Sequence, residues 1–191
     1  MDTTGSQKIY ELLLLGGSAG SLDSLLSITA SLTRTDIAVI IVIHRKDDND
    51  STLADLVAVR TKLRVKEAED KESILPGTIY IAPPDYHLLL ESDRSLSLDV
   101  SEKIHFSRPC IDVTFETAAD VYGNRTVAVL LSGANSDGAD GLKKIQEAGG
   151  ITIVVDPSTA IVHYMPQHAL QTFIPAHIIA AGELAAFISE L

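Results

Sequence analysis

The chain has 191 residues, of which 46% are hydrophobic and 21% are charged, as expected for one globular domain with its own core. Against 26 acidic residues stand 15 lysines and arginines, and the formal net charge of -11 disfavours nucleic acid and anionic lipid as partners. Cys110 is the single cysteine, which excludes an intrachain disulfide and indicates a reducing compartment. Because no apolar run is long enough for membrane insertion and the N-terminus lacks a signal-peptide pattern, we predict a cytoplasmic monomer.

The first third of the chain is predicted to alternate strands and helices. An apolar run at residues 9–15 leads into the glycine-rich segment 16–20, and a helix with one broad apolar face follows. Residues 37–43 are rich in β-branched side chains and predict a strand buried on both faces. Residues 51–60 favour a second helix, with Ser51 as its cap.

The remaining elements follow the same pattern after one interruption. Strands are predicted at 63–65 and 78–82, and residues 86–90 and 95–100 flank a turn typical of an antiparallel hairpin. The sequence predicts a helix that starts at Pro109 and runs to about Tyr122, with Gly123 as its stop. Further strands are predicted at 126–131 and 151–155, with helices at 137–148 and 183–191.

Repeated strand–helix units predict the fold class α/β, with helices on both faces of a mostly parallel sheet and one antiparallel hairpin. Right-handed crossovers then favour a doubly wound, Rossmann-like sandwich, with the whole chain, 1–191, as one domain. In such sheets ligands bind outside the carboxyl ends of the strands. Ser18, His44 and Asp137 each follow a predicted strand, so all three are expected at that one edge.

The three residues suit nucleophilic catalysis, but each has a simpler explanation. Ser18 lies in a G-x-S-x-G segment between a strand and a helix, which is typical of a nucleophile elbow. The same glycines also fit a phosphate-binding loop or a structural turn, although the spacing of the common nucleotide motifs is missing. His44 could be a surface residue at a strand end, with His163 as its main rival, and Asp137 could be a helix cap.

Many ordered segments resemble the CheB-type protein-glutamate methylesterase domain of bacterial chemotaxis, over nearly the whole chain. The segments that carry the resemblance are Gly17-Ser18-Ala19-Gly20, His44, residues 65–70, 75–77 and 80–83, His87, residues 108–115, 131–141 and 146–150, and Met165-Pro166. The family hydrolyses γ-glutamyl methyl esters on chemoreceptors to glutamate and methanol, and some members deamidate receptor glutamine. The resemblance therefore implies a serine esterase whose partner is the cytoplasmic domain of a methylated chemoreceptor.

The resemblance also assigns roles to particular residues. Ser18 would be the nucleophile, His44 the general base and then acid, and Asp137 the group that orients His44. Backbone amides near Ala19 and Ala134 are candidates for the oxyanion site, and His87 is a further candidate for lining the substrate site. No cofactor and no metal is required for this chemistry.

Two alternatives to an active esterase stay open, one of them because of departures from the family pattern. Ser21 stands where the family usually has glycine, Ala134 where it usually has methionine, and Arg45 where a Met-Pro pair usually begins. The family's receiver domain is not part of this chain. These departures make a non-catalytic binding module of a chemosensory system the main alternative. The glycine-rich segment 16–20 separately leaves a nucleotide-binding α/β domain as the third hypothesis.

Overall fold

The computed structural model describes residues 9–45 and 52–191, and the predicted cap Ser51 lies outside them. Its large sheet has seven strands, all parallel, in the order β3-β4-β2-β1-β7-β8-β9. Their bounds are β1 Leu12–Gly17, β2 Ala38–Ile43, β3 Arg64–Glu67, β4 Thr78–Ile81, β7 Thr126–Leu130, β8 Ile151–Val155 and β9 His177–Ile179. The predicted doubly wound α/β fold is confirmed.

Six α-helices within the described residues cover both faces of this sheet. They are α1 Leu22–Ser31, α2 Thr52–Ala58, α3 Ile111–Tyr122, α4 Ala139–Glu147, α5 Tyr164–Thr172 and α6 Leu184–Ser189. Side chains of α1, α2 and α6 belong to the hydrophobic cluster on one face, and those of α3, α4 and α5 to the cluster on the other. No helix in the described ranges is long and apolar enough to cross a membrane.

Strand β1 shows why the pattern of the central strands is continuously apolar. Leu12 and Leu14 pack into the cluster that contains α3, whereas Leu13 and Leu15 pack into the cluster on the opposite face. Alternate side chains point to opposite faces of a strand, so a sheet covered on both sides requires apolar residues at every position.

The hairpin consists of β5 (His87–Leu90) and β6 (Leu96–Asp99), which form a separate antiparallel two-stranded sheet. The predicted antiparallel hairpin is confirmed. Leu88, Leu90 and Leu96 bury their side chains in the cluster beside α3. The hairpin therefore packs over a helix instead of pairing with the edge of the large sheet.

Candidate active site

Ser18 lies in a tight turn between β1 and α1. Its N–H donates to the Ser132 carbonyl at 2.8 Å, and its own carbonyl accepts hydrogen bonds from the N–H and hydroxyl of Ser21 at 3.1 and 2.6 Å. Gly20 has a φ of +78°, and a Cβ there would lie 2.8 Å from the Cβ of Ile161. The turn therefore needs glycine at position 20 and leaves Ser18 half-buried at the start of α1.

His44 follows β2 directly beside Ser18. In the parallel pairing of β1 and β2, Gly17 lies opposite Ile43, and the His44 N–H donates to the Gly17 carbonyl at 3.1 Å. Ser18 and His44 are thus the next residues after the last registered pair. The sequence prediction that both residues emerge at one edge of the sheet agrees with this register.

Asp137 is fully buried and accepts hydrogen bonds on both carboxylate oxygens. Its Oδ2 lies 2.7 Å from His44 Nε2 and 2.7 Å from the N–H of Ile111, and its Oδ1 lies 2.9 Å from the N–H of Asp112. The Cys110 thiol donates to the same Oδ1 at 3.1 Å. The carboxylate therefore occupies the N-terminus of α3, where unpaired amides and the helix dipole stabilise negative charge.

The sequence predicted that Asp137 begins the helix that follows it, and this prediction is wrong. Gly138, with a φ of +94°, is the cap of α4, and the helix starts at Ala139. A Cβ at position 138 would lie 2.5 Å from Leu130 Cδ1. Since only glycine fits this backbone and this space, the chain can turn so that the Asp137 side chain reaches α3 instead.

The environment keeps Asp137 ionised. Burial alone would raise the pKa of this carboxyl, but the hydrogen bond from His44 and those from the Ile111 and Asp112 amides outweigh it, and the pKa lies below its usual value. The ionised carboxylate of Asp137 can only accept a hydrogen bond, so His44 must carry its proton on Nε2 and donate it to Asp137. In that tautomer the Nδ1 lone pair of His44 is free to act as a base.

Two polar side chains lie close to that Nδ1 atom. Ser107 Oγ and Asn135 Nδ2 are each 3.4 Å from it, and Asn135 Nδ2 also donates to Ser107 Oγ at 3.2 Å. No hydrogen bond from the Ser18 hydroxyl to His44 is present within the described part of the chain. One of the two links expected of a triad, His44 to Asp137, is therefore in place, whereas the Ser18 link is open.

The secondary site candidates differ in accessibility. Ala19 and Ala134 are exposed beside Ser18 and Asp137. His87 is only 1% exposed, its Nδ1 accepts the Cys110 N–H at 3.2 Å, and its Nε2 lies 2.9 Å from the Glu102 carbonyl. Because backbone atoms occupy both ring nitrogens, the contacts of His87 support the segment before α3, and they do not favour the expected role in lining the substrate site.

Sequence reasoning missed several residues around the site. Ser107 and Asn135 contact His44 although they come from two distant loops, and the thiol of Cys110 donates a hydrogen bond to Asp137. Their residue types alone give no signal, because each acts through a contact made in the folded chain.

Asp112 and His105 form a second polar pair beside Asp137. Their side chains lie 3.1 Å apart, and Asp112 Oδ1 accepts the Gly141 N–H at 2.7 Å. Burial, followed by repulsion from Asp137, raises the pKa of Asp112 to about 7. His105, Asp112 and Asp137 are close enough together to be considered as metal ligands, but their atoms are already engaged with each other and with backbone amides.

Two clefts open at this edge of the sheet. One of about 250 Å³ is mostly apolar and is bordered by Ser18, Ile43 and Arg45. The other, of about 540 Å³, is bordered by His44, Arg45 and Ser107. The nucleophile candidate and the base candidate thus face neighbouring clefts that share the Arg45 side chain.

Known proteins resemble this chain in sequence and in fold. Residues 13–188 match the family model described as CheB methylesterase. The chain belongs to the CheB methylesterase family. A Leptospira interrogans protein is 40% identical over 183 residues, which cover 95% of each chain.

The Leptospira protein is named putative protein-glutamate methylesterase/protein-glutamine glutaminase, and more distant relatives have corresponding names. A Thermotoga maritima protein named protein-glutamate methylesterase/protein-glutamine glutaminase is 34% identical over 185 residues, which cover 95% of this chain and 54% of that protein. The crystal structure of the Thermotoga maritima CheB methylesterase catalytic domain superposes with a TM-score of 0.88 at 32% identity, covering 95% of this chain and 98% of that one. The resemblance found in the sequence is therefore confirmed.

Proposed function

We propose that the protein is a serine esterase that hydrolyses glutamate γ-methyl esters on chemoreceptors, releasing methanol, with glutamine deamidation as a related reaction. The observation that carries the proposal is the 2.7 Å bond between His44 and buried Asp137 at the strand end next to Ser18. Deamidation would pass through the same acyl-enzyme, with ammonia leaving instead of methanol.

Ser18 is the proposed nucleophile because its turn places the hydroxyl near His44, the proposed base, and near backbone amides that could bind an oxyanion. The Ser18 hydroxyl attacks the ester carbonyl while His44 Nδ1 takes its proton, and Asp137 stabilises the resulting imidazolium. Amides near Ala19, at the start of α1, and near Ala134 would bind the oxyanion. His44 then returns the proton to methanol, and water releases glutamate from the acyl-enzyme.

The contacts at His44 Nδ1 are compatible with this role. Both the Ser107 and the Asn135 contacts are 3.4 Å long, outside the range of strong hydrogen bonds, so a small cost in free energy is enough to replace them. Catalytic hydrogen bonds are often loose before substrate binds. We therefore expect the Ser18 hydroxyl to approach Nδ1 when an ester occupies the site.

The decisive experiment compares Ser18→Ala with Ser107→Ala, since these two residues carry the hydroxyls under consideration. We expect Ser18→Ala to abolish methanol release from methylated receptor, with an unchanged melting temperature. Ser107→Ala, the matched control, should retain activity within about tenfold, because its contact with His44 is long. The opposite ranking would make Ser107 the nucleophile, and full activity in both variants would refute the serine mechanism.

A non-catalytic binding module is the second candidate, favoured by the open link between Ser18 and His44. Reaction with a serine-directed organophosphonate separates the two functions. An active esterase is labelled at Ser18 in a manner that His44→Ala suppresses, whereas a binding module is labelled no faster than other surface serines.

A further inference from the structure

The larger cleft beside the candidate active site carries an unusual charge for this protein. It has a volume of about 540 Å³, and its lining residues are His44, Arg45, Asp85, Lys103, Phe106, Ser107 and Arg108. Three of these are cations, and Asp85 is the one carboxylate among the described lining residues. The chain as a whole has a net charge of -11. Positive charge is therefore concentrated where a substrate would approach His44.

The two arginines that line the cleft use only part of their guanidinium N–H groups in hydrogen bonds with described residues. Arg108 uses its NH1 group to bind the carbonyls of Val100 and Ser101 at 2.7 and 2.8 Å. Arg45 is ion-paired with Glu67. In both arginines the Nε atom is buried and has no hydrogen-bond partner among the residues that the structure describes. These Nε atoms are closed off from the cleft, so a ligand there would meet the other N–H groups of the two guanidinium ends, of which only Arg45 NH2 and Arg108 NH1 make hydrogen bonds within the described residues.

Lys103 and Phe106 complete the rim of the cleft. Lys103 is exposed, and its ammonium has no salt bridge within the described ranges. Phe106 is 98% exposed, and both it and His105 have a positive φ, of 60° and 49°. Reciprocal backbone bonds between Ile104 and Ser107 hold this turn. Phe106 thus adds an exposed apolar ring to a rim that also carries the Lys103 ammonium.

We propose that this cleft binds a carboxylate of the substrate protein that lies close in sequence to the ester-bearing glutamate. The inference rests on the proposed function and specifies its substrate class, an acidic segment in preference to a neutral or basic one. Arg45 and Arg108 would donate from the guanidinium N–H groups that line the cleft, and Lys103 would add long-range attraction. Because Arg45 directly follows His44, the bound carboxylate and the ester carbonyl would lie within one short peptide.

The test uses two peptides that differ only in the residues next to the central side chain, which are glutamates in one and glutamines in the other. For binding, methionine replaces the methyl ester as an unreactive side chain of similar length, and fluorescence anisotropy gives Kd. We expect the acidic peptide to bind about threefold to tenfold more tightly at low ionic strength. This preference should disappear near 0.5 M salt, where the Debye screening length is about 4 Å.

Charge reversal at one lysine supplies the matched comparison. Lys103→Glu should abolish the preference for the acidic peptide. Lys62→Glu makes the same change at an exposed lysine just before β3, at the opposite end of the strands, and should leave it intact. Lys62→Glu should also leave hydrolysis of p-nitrophenyl acetate unchanged, because Lys62 lies at the end of the strands opposite Ser18 and His44.

The outcomes separate this inference from the proposed function. Equal Kd values for the two peptides at low ionic strength would overturn the inference, and so would an equal effect of Lys62→Glu and Lys103→Glu. If the acidic peptide binds more tightly but the methyl-ester peptides release no methanol, the esterase proposal fails and the carboxylate site stands. If both methyl-ester peptides release methanol equally and the two methionine peptides have the same Kd, only the carboxylate site fails.

Discussion

Replacement of Asp137 by asparagine tests the candidate site most sharply, because neither orientation of the amide fits. Oδ2 accepts hydrogen bonds from His44 Nε2 and the Ile111 N–H, and Oδ1 accepts them from the Asp112 N–H and the Cys110 thiol. Each oxygen therefore faces a backbone N–H at 2.7 or 2.9 Å. Wherever the amide nitrogen is placed, two N–H groups point at each other.

The expected magnitudes follow from these contacts. A buried backbone N–H without an acceptor costs about 1–3 kcal/mol, so the free energy of unfolding should fall by at least this amount. If the amide nitrogen faces His44, Nε2 of the ring must accept a hydrogen bond and the ring proton moves to Nδ1. His44 Nδ1 can then no longer act as the base. An analogous change in a serine protease lowers kcat by about 10⁴, and we expect a loss of about 10³ to 10⁴ here.

The assay measures methanol release from methylated receptor together with urea unfolding of the same preparation. Asp140→Asn is the matched control, because Asp140 is an exposed aspartate three residues further on and its substitution should leave both quantities unchanged. Activity of Asp137→Asn within tenfold of the unmodified protein would refute the role of Asp137 in orienting His44. A normal free energy of unfolding would refute its role at the start of α3.

Two further predictions concern pH and backbone strain. The pKa of Asp112 is raised in the folded protein to about 7, so its contribution to stability is complete below about pH 4 and is lost as pH rises through 7. Asp112→Asn should flatten the fall in free energy of unfolding between about pH 4 and 7, and an unchanged slope would contradict the assigned pKa. Gly20→Ala should cost about 1–2 kcal/mol in urea unfolding and reduce esterase activity, because of its positive φ and the contact with Ile161. Gly182→Ala, where an added Cβ meets nothing within 4 Å, should be neutral, and equal effects of the two changes would contradict this reasoning.

The sequence alone was sufficient for the architecture and for the edge of the sheet that carries the candidate site. A short continuous apolar run rich in β-branched residues, such as 37–43, is typical of a strand covered on both faces, and parallel strands bring their carboxyl ends together. Ser18 and His44 are neighbours for this reason, one residue beyond the registered pair Gly17 and Ile43. These conclusions depend on local patterns, which a linear sequence displays.

Tertiary structure alone decided what each side chain contacts. The carboxylate of Asp137 binds the first amides of α3 although the sequence predicted that it would start the next helix, because Gly138 turns the chain away. Ser107 and Asn135 reach His44 from positions 63 and 91 residues away. Hydrogen bonds of this kind depend on where separate loops converge. No periodicity or propensity encodes that convergence, since it is set by the packing of the whole domain.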